Sequence, residues 1–295
     1  MDRARGLALV GLWGLVVSGA TAQTAPPMER VSIEDGSGAA GWGPAEATVE
    51  ESAEFAGADG KSLHLHIDVD HTAGEPNYPI GWPRMAMKPP PELQDWSRFD
   101  FLELVIHTET SREALPSSPL GFIAHTPDKQ NAYSRNLSEL RKGETTTIVI
   151  PLSQIPRHNH VPHIQFYISE SNYKHGDVLD FYIDDVALTR YAAPTLSDFV
   201  PLQSIAFSDA ACLGARFRLL GVEEGRTVGV KARLRQGETA IAEVAWELPR
   251  GEHEVWLPLK APLTPGEAVL ELSLDKPQQS ATLRIVASPF SGGGK

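Results

Sequence analysis

Cysteine is almost absent: Cys212 is the only one in 295 residues. With no partner it makes no internal disulfide, so the fold must rest on its apolar core, with or without a metal ion. Basic charge is also scarce. Against 38 Asp and Glu stand 26 Lys and Arg, leaving a net charge of −12. That balance argues against nucleic acid or an anionic membrane as the main partner, because both reward a basic surface. It disfavours acidic polysaccharides for the same reason. The chain has no Gly-x-Ser-x-Gly elbow for a serine nucleophile and no glycine-rich phosphate loop.

Long apolar runs are confined to the start. Met1–Arg5 carries two arginines and leads into "GLALVGLWGLVVSG", followed by "ATA" at Ala20–Ala22. This is the order of a signal peptide: basic start, apolar stretch, small-residue cleavage site. The run is short for a spanning helix, which needs roughly 20 residues. Residues 1–22 are therefore expected to be removed, with residues 23–30 as a linker. The mature chain would be secreted, periplasmic or extracellular, with no membrane span. Cys212 is far from the leader, so there is no lipid-attachment motif.

What fills the rest is alternation. "SLHLHIDVD" (Ser62–Asp70) puts Leu63, Leu65, Ile67 and Val69 on one face and His64, His66, Asp68 and Asp70 on the other, the period of a half-buried strand. "FDFLELVIHT", "TTTIVIPL", "HIQFYIS" and "LDFYIDDVALTRY" read as strands too. The fair helical candidate is "NLSELRKG" (Asn136–Gly143). "AAPTLSDFVP" (residues 192–201) loses the periodicity and reads as a linker. Beyond it, six short strands punctuated by turns such as "EEGR" and "LPRGE" suggest an immunoglobulin-like sandwich over 202–288. A disordered tail is expected over 289–295. The fold class is all-β, in two domains.

"VSIEDGSGAAGW", "GKSLHLHIDV", "DWSRFDFLELVIHT" and "DFYIDDVALTR" follow one another across residues 31–191. In this order they resemble the galactose-binding-type jelly rolls found among carbohydrate-binding modules of secreted polysaccharide-degrading enzymes. The resemblance implies a jelly-roll β-sandwich and a glycan ligand. It also implies a structural Ca2+ tying the acidic first strand to the last, at Glu34 or Asp35 and Asp184 or Asp185. Calcium takes six to eight oxygens, which paired carboxylates begin to supply. Against this, Asp184 could face water while Ile183 and Val186 pack inward.

Two loops carry candidate ligand-binding residues. "NYPIGWPRMAM" (Asn77–Met87) places Tyr78, Trp82 and Arg84 on irregular, proline-rich backbone. "FIAHTPDKQNAYSRN" (Phe122–Asn136) adds His125, Asn131 and Tyr133. Aromatic rings stack on the C–H faces of sugars, and planar polar groups bond the hydroxyls. Trp82 is either such a platform or a plug closing the end of a sandwich. The pair His64 and His66 leaves one strand face together and could hold a transition ion. A cupin has a similar His-x-His strand, but its other motifs are missing here.

The expectation is a secreted, non-catalytic glycan-binding protein, acting alone or with a partner enzyme or cell-surface component. The alternatives are a polysaccharide-active hydrolase or lyase, dependent on metal or carboxylates, and a structural or protein-interaction module. The last of these requires a buried Trp82.

Overall fold

The computed structural model describes residues 27–57, 60–72, 81–128 and 132–289. The leader, Tyr78, Asn131 and the end of the tail lie outside the described residues. The chain is all-β, as the alternation predicts. No helix is long and apolar enough to cross a membrane among the described residues.

The first half is built from β1 (Met28–Glu34), β2 (Trp42–Ala45), β3 (Thr48–Ser52), β4 (Ser62–Asp68), β5 (Arg84–Met87), β6 (Phe101–Thr110), β7 (Gly121–Ala124), β8 (Tyr133–Asn136), β9 (Glu144–Pro151), β10 (Ile164–Tyr167) and β11 (Val178–Tyr191). They form two antiparallel sheets. One runs β3-β4-β11-β6-β9, with β1 also paired to β11. The other runs β2-β5-β10-β7-β8. Leu63, Leu65 and Ile67 of the larger sheet face Met85, Phe122 and Phe166 of the smaller across one continuous core. Burying each such side chain contributes about 1.5–3 kcal/mol, so the alternation settles which face of every strand points inward.

The alternation slips once in β11, where a bulge between Ile183 and Asp185 interrupts the pairing with β6. Ile183 and Val186 are both buried. Asp184 is the extra, unpaired residue of the bulge, while Asp185 pairs with Val105, and both are half-buried.

The second half comprises β12 (Thr195–Pro201), β13 (Ile205–Phe207), β14 (Cys212–Leu220), β15 (Thr227–Gln236), β16 (Thr239–Pro249), β17 (Gly251–Pro258), β18 (Gly266–Ser273) and β19 (Pro277–Val286). Sheets of order β12-β14-β17 and β13-β19-β18-β15-β16 enclose a separate core around Phe217, Leu234 and Leu270. Two readings of the sequence are corrected here. The stretch 192–201 is mostly strand β12, whose periodicity is broken by a bulge between Ser197 and Val200. Asn136–Gly143 holds no helix: Asn136 ends β8, and in the turns that follow Leu137 and Leu140 plug the core three residues apart without any helical hydrogen-bond ladder.

The two halves meet at Asp100, which precedes β6. Its carboxylate accepts the amides of Tyr191 (3.0 Å) and Gly221 (3.1 Å) and pairs with Arg250 between β16 and β17. Arg250 also donates to the Ser97 carbonyl, and Arg218 donates to Ser153 Oγ at 2.9 Å. A cleft of ≈ 310 Å³ lies along this junction.

Candidate functional site

The outward face of the five-stranded sheet carries the aromatic site. In β10, Ile164 and Phe166 point into the core, so Gln165 and Tyr167 point out. Tyr167 is register partner to both Arg84 on β5 and Gly121 on β7. A Cβ at position 121 would overlap the Tyr167 ring. The glycine therefore lets the phenol lie flat across the neighbouring strand, where its hydroxyl sits 3.3 Å from Ser134 Oγ.

Trp82 stands beside it. The indole meets the Tyr167 ring edge-on, with centroids 5.5 Å apart and planes at 74°. The Arg84 guanidinium lies 5.0 Å from the indole centroid, a cation–π distance. Arg84 also donates to the Trp82 carbonyl at 3.0 Å. Trp82 keeps 46 % of its surface exposed, whereas Trp42 and Trp96 are buried in the core. Trp82 is thus half-exposed, not buried in the core.

Two carboxylates hold its backbone. Glu46 accepts the Trp82 amide at 2.6 Å and Glu170, itself buried, accepts the Gly81 amide at 2.7 Å. They approach so closely that a Cβ at Gly81 would collide with the Glu46 carboxylate. Charge-assisted bonds of this kind are about twice as strong as neutral ones, and they fix the tryptophan backbone.

The other predicted residues go elsewhere. Tyr133 pairs with Ala124 at the opposite end of β7 from Gly121, and its ring packs against the core. Burial raises its pKa, against the smaller opposing effect of Arg135. His125 stacks on His163 with centroids 3.8 Å apart, at that same far end. Thus Trp82 and Arg84 are brought together, while His125 and Tyr133 are separated from them by the length of β7. Tyr167 was missed. Its signal was the Ile-Gln-Phe-Tyr alternation, which puts a tyrosine on the outer face of a strand.

Each of the four acidic residues expected to hold calcium has a protein partner. Glu34 is buried and accepts the amides of Gly36 (2.9 Å) and Gly38 (3.0 Å) and the Trp42 indole N–H (2.8 Å). Asp35 caps Ser37, whose hydroxyl and amide lower its pKa. Asp184 accepts the Gly57 amide at 2.6 Å. Asp185 bonds Ser32 at 2.8 Å and pairs with Arg30; burial nevertheless raises its pKa.

A different set converges on the outer face of the six-stranded sheet. His64, His66 and Asp180 each offer a ligand atom within 4.8 Å of the others. Tyr182 stacks flat on His64, centroids 4.4 Å apart. Burial first, and then the bond it donates to Glu54, push the Tyr182 hydroxyl up to about 12.

Comparison with protein-family models gives no match, and comparison with curated proteins gives none. Solved structures do match. The glycoside hydrolase domain of Endo-D from Streptococcus pneumoniae R6 aligns over 82% of this chain and 36% of its own, at 12% identity and TM-score 0.34. A beta-1,2-glucanase from Parabacteroides distasonis aligns over 88% of this chain and 37% of its own, at 13% identity and TM-score 0.34. The chain thus spans little more than a third of these two proteins. CBM27-1 of Caldicellulosiruptor saccharolyticus, a carbohydrate-binding module solved with mannohexaose, aligns over 55% of this chain and 96% of its own, at 13% identity and TM-score 0.34. The chain is similar in structure to a carbohydrate-binding module and to parts of glycoside hydrolases.

Proposed function

We propose that this is a secreted, non-catalytic carbohydrate-binding protein. In this reading the first sandwich is a galactose-binding-type jelly roll that docks a glycan, and the second is an immunoglobulin-like accessory domain. The observation that carries the proposal is Trp82: a half-exposed indole fixed by Arg84, Tyr167 and two carboxylate-held amides, at the edge of an open sheet face. A pyranose stacks on such a ring through its C–H groups, while Arg84 and the Tyr167 hydroxyl offer hydrogen bonds to its hydroxyls. Pre-ordering lowers the entropy lost on binding. The residues beside it, half-buried Ala86 and Ile123 and exposed Ser134, leave a surface along which a sugar chain can lie.

The binding reading is favoured over acid–base catalysis at this place by what the two nearest carboxylates do. Glu46 and Glu170 each spend an oxygen on a loop amide, a holding role. The glycan's identity and any partner enzyme belong to the proposal, as does the Ca2+ at Glu34, Asp35, Asp184 and Asp185. Calcium is tested by adding it to chelator-treated protein and following the melting temperature.

Affinity electrophoresis of the full chain against a polysaccharide panel, neutral β-glucans and mannans included, tests the function. Trp82→Ala and Tyr167→Ala are expected to weaken binding at least about tenfold, roughly 1.4 kcal/mol, with unchanged circular dichroism. Retention of full affinity in both folded variants would remove the site.

A further inference from the structure

The histidine face belongs to the six-stranded sheet, not to the sheet that carries Tyr167, and it gathers two imidazoles and three carboxylates. His64 Nε2 lies 2.8 Å from Asp180 Oδ1, and His66 Nδ1 lies 2.7 Å from the same oxygen. The other nitrogen of each ring faces a second carboxylate: His64 Nδ1 is 3.4 Å from Glu50 Oε1, and His66 Nε2 is 3.3 Å from Asp68 Oδ2. Two imidazolium rings would supply the four protons that four nitrogen–oxygen approaches take, whereas two neutral imidazoles carry two. If the outer carboxylates take the N–H groups, the inner nitrogens turn two lone pairs toward the oxygen of Asp180. Three electron-pair donors then lie within 4.8 Å of one another, an arrangement that a metal cation satisfies in place of the protons.

We propose that His64, His66 and Asp180 bind one borderline divalent transition ion of the Zn2+ class. The donor set is right for it: two imidazoles and one carboxylate suit zinc, copper or nickel better than calcium or magnesium, which prefer oxygen throughout. The surrounding residues are also those of a metal centre. Glu50 and Asp68 take the positions of carboxylates that hold a ligating histidine in one tautomer and orientation. Tyr182, stacked within 6° of the His64 plane, fixes the ring. Strand pairing sets the whole arrangement, because Glu50, His64 and Tyr182 share one register row and His66 and Asp180 the next. The site stays partly open, His66 being a third exposed, so the ion enters from solvent. Three protein ligands leave a coordination position for water.

Chelator-treated full-length chain is titrated with Zn2+ by calorimetry, and with Cu2+ under electron paramagnetic resonance. The expected result is one ion per chain, with two imidazole nitrogens in the Cu2+ spectrum. His64→Gln and His66→Gln are each expected to abolish that binding, while Glu50→Gln, which leaves the ligands in place, weakens it about tenfold. The Cu2+ spectrum of the unmodified chain keeps the test decisive should the histidine variants fail to fold. Absence of Zn2+ binding, a spectrum lacking coordinated imidazole, or full binding by folded His66→Gln would each overturn the proposal.

Discussion

Asp100, 2 % exposed at the start of β6, sits 2.9 Å from the Nε of Arg250 in the turn between β16 and β17. One carboxylate thus holds the end of the first sandwich, through the Tyr191 amide, and two points of the second. Burial lowers the pKa of Arg250, and Asp100 opposes the shift without cancelling it. The desolvation of this pair is therefore large, and removing one partner strands the other. Arg250→Ala is expected to cost about 3 kcal/mol, the low end for breaking a buried pair. Chemical denaturation of the full chain measures it. Replacing both residues, as Asp100→Asn with Arg250→Met, is expected to recover part of the loss.

Stability below pH 4 is expected to depend on Asp177. Burial pushes its pKa up, but the Lys174 amide and the Arg112 guanidinium (2.7 Å each) outweigh it and hold the carboxyl below the ordinary aspartate value of 3.8. A carboxyl whose folded-state pKa is depressed stabilises the fold above its unfolded value, and that contribution is lost as pH falls through the folded one. Asp177→Asn should therefore melt below wild type at pH 7. The gap between the two melting temperatures should close as pH drops below 3.8. A constant gap would show that packing, not charge, is what the substitution removes.

The Glu46–Glu170 clamp on the Trp82 loop gives a third expectation. Glu170→Gln keeps the shape but replaces a charged acceptor by a neutral one, a difference of about 1 kcal/mol. Tryptophan fluorescence should then report a looser, more solvated Trp82, and glycan affinity should fall about fivefold. The rest of the fold should stay intact by circular dichroism.

Gly121 offers the complementary test. A methyl group there must displace the Tyr167 ring. Gly121→Ala is expected to destabilise the chain by about 1–3 kcal/mol, the range for overpacking. It should also lose glycan affinity together with Tyr167→Ala. Near-ultraviolet circular dichroism would detect the moved tyrosine.

The strands could be read in advance because burial of one face imposes a period of two, as in Leu63, Leu65 and Ile67. Two things broke that reading. In β12 a bulge shifts the register, and Asp198 takes a left-handed backbone, φ 52°, so the alternation that marks a strand is interrupted. In Asn136–Gly143, Leu137 and Leu140 are spaced like helical neighbours but are separate plugs of one turn. The site was half legible for a related reason. Trp82 and Arg84 are close in sequence, so their association could be seen. Tyr167 joins them only through the pairing of β5 with β10, a long-range choice with no local mark. His125 and Tyr133 lie on the loop between β7 and β8 or at its border, and the direction of those short strands carried them to the far end.

The core of the first sandwich separates the indole of Trp82 from the imidazoles of His64 and His66, which leave opposite outer faces. Under the proposed function, polymer held along one side leaves the other side pointing away from it. A chain lying on a polysaccharide surface would show its histidines to the surrounding medium, where ions, or a neighbour bearing one, arrive by diffusion. The two halves of such an adaptor neither compete for space nor share a side chain. Each could be lost or retuned while its counterpart went on working.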